Sequence, residues 1–156
     1  MSLPNQLKNQ HLLWRAGFGT AIEQLDQLAD FTPKQVYKGL VKAYEKKPDY
    51  IDVADNYLDG LFKGVDDVGR IQRKELTPEE RKMVQQKNRE GVRNLNLTWF
   101  QEMVNSKAQL REKMAFFWHG HFACRNLNVF YQQGLLDIIR RNALGNFGDL
   151  LAEVSR

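Results

Sequence analysis

The chain has 156 residues, a length that suits one domain with a real hydrophobic core. Hydrophobic residues make up 42% of it and charged residues 27%, a globular composition that excludes a disordered protein. No apolar run approaches the roughly 20 residues that span a bilayer, so we expect no transmembrane helix. The first ten residues, MSLPNQLKNQ, lack the apolar stretch of a secretory signal. Cys124 is the single cysteine, which excludes an internal disulfide.

Basic residues are concentrated in the middle of the chain. The formal net charge is +4 and the isoelectric point is about 9.2, values that would suit nucleic-acid binding. However, glutamates are interleaved with the eight arginines and lysines from Arg70 to Arg93, and no phenylalanine or tyrosine there could stack on a base. The pattern is typical of a solvated helix with ion pairs between successive turns. We therefore expect no nucleic-acid partner.

Two capping signals predict helices in the first third of the chain. Thr20, with Glu23 three residues later, forms a capping box ahead of AIEQLDQLAD. Thr32, followed by a proline and then by Gln35, starts a second helix whose apolar residues recur at helical spacing. We therefore expect one helix after residue 20 and another after residue 32.

The middle of the chain predicts a helix, a connection and a second, longer helix. The segment DYIDVADNYLDGLF, residues 49–62, has its apolar residues on one helical side. Residues 64–76 are rich in glycine and charge, so we expect an irregular connection there. Thr77 is the strongest helix start of the sequence, because Pro78 and two glutamates follow it. This helix is predicted to run to about Asn105.

The last third predicts three more helices. Ser106 is predicted to cap the first, NVFYQQGLLDIIRRNALG forms the second, and Asn146 caps the third, FGDLLAEVSR. No window shows the sustained alternation of a β-strand, so the predicted fold is all-α, a bundle-like array of several helices. We expect the helices that start at Thr77 and Ser106 to pack on each other. The residues predicted at that contact are Trp99, Met103, Met114, Phe117 and Trp118.

The densest group of chemically active side chains lies in LREKMAFFWHGHFACR, residues 110–125. At 100° per residue, one helical stripe joins Leu110, Met114, Phe117, His121 and Cys124. We expect this stripe to face the core. His121 should then be buried and hydrogen-bonded to a backbone carbonyl or a carboxylate, and Cys124 should be a packed, unreactive thiol.

His119 and His121 are the candidate metal ligands of the sequence. Side chains two residues apart on a helix diverge by about 200°, so both can bind one metal ion only if Gly120 breaks the helix. His119 should otherwise lie on a different and more exposed face. No Cys-x-x-Cys or His-x-x-x-His pair elsewhere completes a ligand set, so any further ligand must come from scattered positions. The sequence identifies no catalytic residue and no cofactor site.

Three blocks of the sequence resemble, in order, the opening motifs of a bacterial family. They are HLLWRAGFG (residues 11–19), LREKMAFFWHGHFA (110–123) and ALGNFGDLLAEVSR (143–156). The family is catalogued as domain of unknown function 1800. FWHGHF is the most distinctive part of the resemblance, and residues 20–97 are similar only in position.

The resemblance implies that residues 1–156 form a single helical fragment, the N-terminal third of a larger protein without its C-terminal remainder. The amphipathic helix still running at Arg156 favours the same view. The resemblance further implies a bacterial protein that is exported, periplasmic or extracellular, and encoded beside a sulfatase-like partner. It implies no particular activity.

Two functions from different classes follow. The first, which we favour, is a helical structural or interaction module of an exported protein, with no complete active site in these residues. The second is part of a metal-dependent enzyme, in which His119 and His121 contribute to a site completed by downstream carboxylates. The apolar residues between Phe130 and Leu151 also predict self-association of the fragment through an uncovered face.

Overall fold

The structure, a computed structural model, describes residues 4–54, 76–124 and 128–155. The helices in these ranges are α1 (Asn5–Ala16), α2 (Pro33–Glu45), α3 (Pro78–Asn105), α4 (Gln109–His121), α5 (Val129–Asn142) and α6 (Phe147–Val154). No β-strand occurs among the described residues, which confirms the prediction of an all-α fold. Within the same ranges, no helix is both long enough and apolar enough to cross a membrane.

Two helices start as the sequence predicts. The Thr32 hydroxyl accepts a hydrogen bond from the Gln35 N–H, and the Gln35 side chain accepts one from the Thr32 N–H at 2.8 Å. Thr77 and Glu80 form the same reciprocal pair at the start of α3. A proline follows each threonine, at a position where a helix has no partner for an N–H. Both starts are therefore specified by a few neighbouring residues.

The α-helix predicted after residue 20 is instead two 3₁₀ turns, Ile22–Gln24 and Asp26–Ala29. The predicted capping box is absent, because the first turn has no side-chain cap. A tertiary contact fixes the end of this segment. The Asn9 amide on α1 donates hydrogen bonds of 2.7 Å to the backbone carbonyls of Leu28 and Phe31. These carbonyls accept from α1, so the end of the 3₁₀ segment is held against that helix.

The helix predicted from residue 49 does not begin there. Residues 49–54 are irregular, and the Val53 N–H donates to the Gln133 side chain at 3.1 Å instead of to a helical carbonyl. The remainder of that predicted helix, residues 55–62, and residues 64–75 of the predicted connection lie outside the described residues.

The last three helices differ in how they are capped. Ser106, the predicted cap of α4, ends α3 instead, and its hydroxyl accepts a hydrogen bond from the Ala108 N–H at 3.1 Å. Helix α4 therefore begins at Gln109 without a side-chain cap. Asn128 caps α5, and Asn146 caps α6 as predicted.

The main hydrophobic core lies between α3, α4, α5 and α6. Its buried helical members are Leu95, Trp99, Met103, Ala115, Leu136, Ile139 and Leu150. Met114 and Trp118 pack against it, so the predicted contact between α3 and α4 forms, but Phe117 is 49% exposed and does not contribute to the core. Helix α1 packs on the second 3₁₀ turn and on α2, and it also contacts α4.

Helices α3 and α5 meet closely at Gly91, where a side chain has no room. A Cβ atom on Gly91 would lie 2.9 Å from Cγ2 of Val129, at the start of α5. We expect Gly91→Ala to destabilise the fold by about 1–3 kcal/mol, because the overlap outweighs the helix propensity of alanine, about 1 kcal/mol. Gly134→Ala on α5 is the control, since a Cβ there meets nothing within 4 Å. It should stabilise by about 0.5–1 kcal/mol in urea unfolding, and equal effects of both changes would contradict the close contact.

Candidate functional site

Helix α4 turns two charged residues toward the core. Its buried residues are Arg111, Glu112 and Ala115. The predicted core-facing stripe was wrong for three of its five members: Phe117 is half-exposed, and His121 and Cys124 are exposed, whereas Met114 packs against the core. The aromatic side chains of FWHGHF therefore divide between the core and an open surface.

Glu112 is completely buried and accepts hydrogen bonds from three side chains. Trp99 Nε1 donates at 3.0 Å, Arg111 Nε at 3.1 Å, and Arg140 at 2.9 Å through Nε and 3.0 Å through Nη2. Arg140 also donates to the backbone carbonyl of Asp49 at 2.8 Å. We call Trp99, Arg111, Glu112 and Arg140 the Glu112 cluster. It joins α3, α4, α5 and the segment after α2, so its first role is to hold these elements together.

His121 lies exposed at the end of α4, so the prediction that it is buried was wrong. The helix continues through Gly120, and the backbone does not redirect either histidine. Nδ1 of His121 lies 3.1 Å from the carbonyl oxygen of Phe117, one turn earlier. Its ring packs beside those of Phe117 and Trp118, with centroids 4.4 and 5.8 Å away.

His119 is the more buried histidine, the reverse of the prediction. Its ring centroid lies 5.2 Å from that of Trp99, beside the Glu112 cluster. Burial removes water that would solvate the charged imidazolium, and this desolvation lowers the pKa of His119 from its ordinary 6.5. The His119 imidazole is therefore neutral at neutral pH.

Stability should fall in mild acid because of His119. Its pKa is lower in the folded protein, so the unfolded chain takes up the proton first as the pH drops below 6.5. The free energy of unfolding therefore decreases from about pH 6.5 downward, until the folded state is protonated as well. We expect His119→Phe to flatten this part of the pH profile in urea unfolding. His11→Phe, on the exposed side of α1, is the control and should leave it unchanged.

The residues that the structure describes do not bring a complete metal-ligand set together. Among the described residues there is no group of three or more histidine, cysteine, aspartate or glutamate side chains that could hold a metal ion. His119 and His121 diverge on an intact helix. The Cys124 thiol is exposed, contrary to the predicted packing, and its Sγ lies 3.8 Å from Nε2 of Gln132. A metal bound by either histidine would need ligands from other residues.

An open cleft of about 650 Å³ runs along the exposed side of α4. We call it the aromatic cleft; it is lined by Arg15, Lys113, Met114, Phe116, Phe117, Gly120 and His121. Phe116 is 55% exposed, and its ring meets that of Phe18 edge-on at 6.5 Å. Nζ of Lys113 lies 4.9 Å from the centroid of the Phe18 ring. The described lining contains two basic side chains, Arg15 and Lys113, and no acidic side chain.

The first two sequence blocks that suggested a family meet at this cleft, since Arg15 belongs to one and the α4 residues to the other. A family model described as "Protein of unknown function (DUF1800)" matches residues 11–156. The chain belongs to the DUF1800 family. No curated protein and no solved structure matches it. Both walls of the aromatic cleft thus lie within the matched part of this DUF1800 chain.

Sequence reasoning missed the Glu112 cluster of this DUF1800 chain. One signal was available: Arg140 continues the helical spacing of Leu136 and Val129, so it interrupts an apolar stripe with a charge. A charged residue at such a position needs a buried partner. The sequence does not reveal that the partner is Glu112, 28 residues earlier on another helix.

Proposed function

We propose that this chain is a helical interaction module whose aromatic cleft binds an acidic, partly apolar segment of a partner protein. The exposure of Phe116 and Phe117 carries the proposal. Each has about half of its surface open to solvent, on a helix whose opposite face is firmly anchored in the core. Exposed aromatic residues grouped in one cleft are typical of interaction sites and not of an inert surface.

The charges around the cleft favour an acidic partner. Arg15 and Lys113 lie on opposite elements, α1 and α4, and both line the cleft. Nζ of Lys113 lies over the Phe18 ring. This cation–π contact still allows the ammonium group to pair with a carboxylate from the partner. An apolar side chain of the partner would cover the phenylalanines, and neighbouring carboxylates would meet the two cations.

The test is binding of a fluorescein-labelled peptide built from repeating Glu-Phe-Glu-Leu units, followed by fluorescence anisotropy. We expect Phe117→Ala to weaken binding about tenfold, the loss typical of an aromatic residue central to an interface. Lys113→Glu should weaken it further at low salt, because it places a negative charge against the peptide's own.

The matched control is Phe100→Ala, which removes an exposed phenylalanine of α3 that does not line the cleft. It should bind the peptide like the unmodified protein. Equal weakening by Phe100→Ala and Phe117→Ala would indicate unspecific adhesion and overturn the proposal. Equal binding of a Lys-Phe-Lys-Leu peptide would contradict the charge argument.

The alternative, a share in a metal-dependent enzyme, rests on His119 and His121 of the FWHGHF block. The exposed imidazole of His121 can reach a metal ion, and its Nε2 is the atom that would bind it while Nδ1 donates to the Phe117 carbonyl. The downstream carboxylates that would complete the site stay a prediction. Stoichiometric zinc in the purified full-length protein, lost in His121→Ala, would favour this alternative over the interaction module.

Self-association, a sulfatase-like partner and export also stay predictions. Leu144, Phe147 and Leu151 are exposed on and before α6, and they would form the self-association face. Sedimentation equilibrium tests it directly: dimers that dissociate on Leu151→Glu would support this face, and a monomer at high concentration would contradict it.

A further inference from the structure

A second cleft, of about 340 Å³, lies at the beginning of α4, on the side of α2. Its lining includes four basic side chains, those of Lys46, Lys47, Lys107 and Arg111, and two acidic ones, those of Asp49 and Glu102. It shares no lining residue with the aromatic cleft. Its volume is at the small end of the range for small-molecule sites, about 300–1,000 Å³.

Arg111 gives this cleft a fixed positive group. Its side chain is only 6% exposed, and it is held by Glu112 through Nε and by the Lys46 carbonyl through Nη1. It also lines a smaller cleft of about 160 Å³, together with Lys47 and Arg141. The guanidinium therefore stands between two clefts in a set orientation, with Nη2 not engaged by any described residue. An arginine prepared in this way binds oxyanions with little further loss of side-chain freedom.

The two acidic residues do not cancel the basic ones. Asp49 lies 4.0 Å from Lys46, and Glu102 lies 3.5 Å from Nη2 of Arg140, so each already faces a cation. When Arg140 and Glu112 are counted with the cleft residues, two positive charges remain in excess. Lys47 and Lys107 supply them at the mouth of the cleft, and neither forms an ion pair with another described residue.

The start of α4 lies at the same cleft. Ala108 and Ser106 line the cleft, and the helix has no side-chain cap. The Ser106 hydroxyl is turned to the Ala108 N–H, which leaves the N–H groups of the first turn without a capping side chain. These groups carry the positive end of the helix dipole, which favours an anion.

We propose that this cleft binds a tetrahedral oxyanion, the phosphate or sulfate group of a small molecule or the free ion. Arg111 would offer Nη2, Lys47 and Lys107 would neutralise the charge of the anion, and the positive end of the α4 dipole would favour it. The volume beyond a single oxyanion would accommodate the remainder of a small phosphorylated or sulfated molecule.

The experiment is isothermal titration of the protein with inorganic phosphate, inorganic sulfate and phenyl phosphate. We expect one binding site, with an affinity about tenfold or more lower in the double variant Lys47→Ala, Lys107→Ala, because the variant removes the two excess positive charges. Both lysines are exposed, so their loss should not disturb folding. Tighter binding of phenyl phosphate than of the free ions supports an esterified ligand, and equal binding supports the free ion.

The control is Lys82→Ala on α3, an exposed lysine outside the cleft. It should leave the affinity unchanged. If Lys82→Ala weakens binding as much as the double variant, the anions neutralise general surface charge and the proposal is overturned. No binding of any of the three anions overturns it as well.

Arg111→Lys is a second test, since it keeps the buried charge but loses the fixed geometry of the guanidinium group. The loss in binding free energy should exceed the loss in the free energy of unfolding.

Discussion

Replacing Glu112 by glutamine should lower the free energy of unfolding by about 3–5 kcal/mol. The amide has nearly the same shape as the carboxylate but no charge, and its NH₂ group would face donors where the carboxylate offers an acceptor. Arg111 and Arg140, both almost completely buried, would then hold positive charges without a full counter-charge. Trp99 would keep at most one acceptor for its indole N–H. Urea unfolding followed by circular dichroism measures the loss.

The control for Glu112→Gln is Glu90→Gln on α3. Glu90 pairs with Lys87 at 3.6 Å, and half of its side chain is exposed. Water and salt screen such a pair, so the change should cost less than about 1 kcal/mol. A loss at Glu112 as small as the loss at Glu90 would show that the buried cluster relaxes or admits water, and the structural role assigned to it would be wrong.

The helix starts could be predicted from the sequence where the determinants lie within four residues of one another. Thr32 and Thr77 satisfy their helices through Gln35 and Glu80, so local reading was sufficient there. The capping signal at Thr20 has the same form but failed: the segment after it forms 3₁₀ turns, whose end is bound by Asn9 of α1. A local capping sequence does not by itself determine which type of helix follows it when tertiary contacts bind the same segment.

The candidate site was predicted only in part, for a related reason. The angular argument that His119 and His121 diverge depends on helix geometry alone, and it holds in the structure. Which of the two is buried depends on where α4 turns its core face. Apolar periodicity assigned that face to Phe117, whereas Glu112 is drawn inward by its bond to Arg140, 28 residues away. A pattern within one helix cannot reveal a partner 28 residues away in the sequence.

The same competition between local and distant contacts makes Asn9 a sensitive position. Its side chain is completely buried on α1, and its amide nitrogen donates to two carbonyls, each at 2.7 Å. Its oxygen Oδ1 is buried and has no hydrogen-bond partner among the described residues. Asn9 therefore holds the 3₁₀ segment against α1 through its donor only, and Gln6 of α1 adds a second bond, from its amide to the Leu25 carbonyl at 3.2 Å.

We expect Asn9→Asp to destabilise the protein by about 2–4 kcal/mol at neutral pH. A carboxylate cannot donate, so the carbonyls of Leu28 and Phe31 would face its negative charge in a completely buried site. Asn5→Asp makes the same chemical change at the exposed start of α1, where a negative charge meets the positive end of the helix dipole. It should be neutral or stabilise by up to about 1 kcal/mol in the same urea unfolding measurement. Similar effects of the two substitutions would mean that Asn9 does not anchor the 3₁₀ turns. A selective loss at Asn9 would instead show that this one amide anchors the 3₁₀ segment to α1.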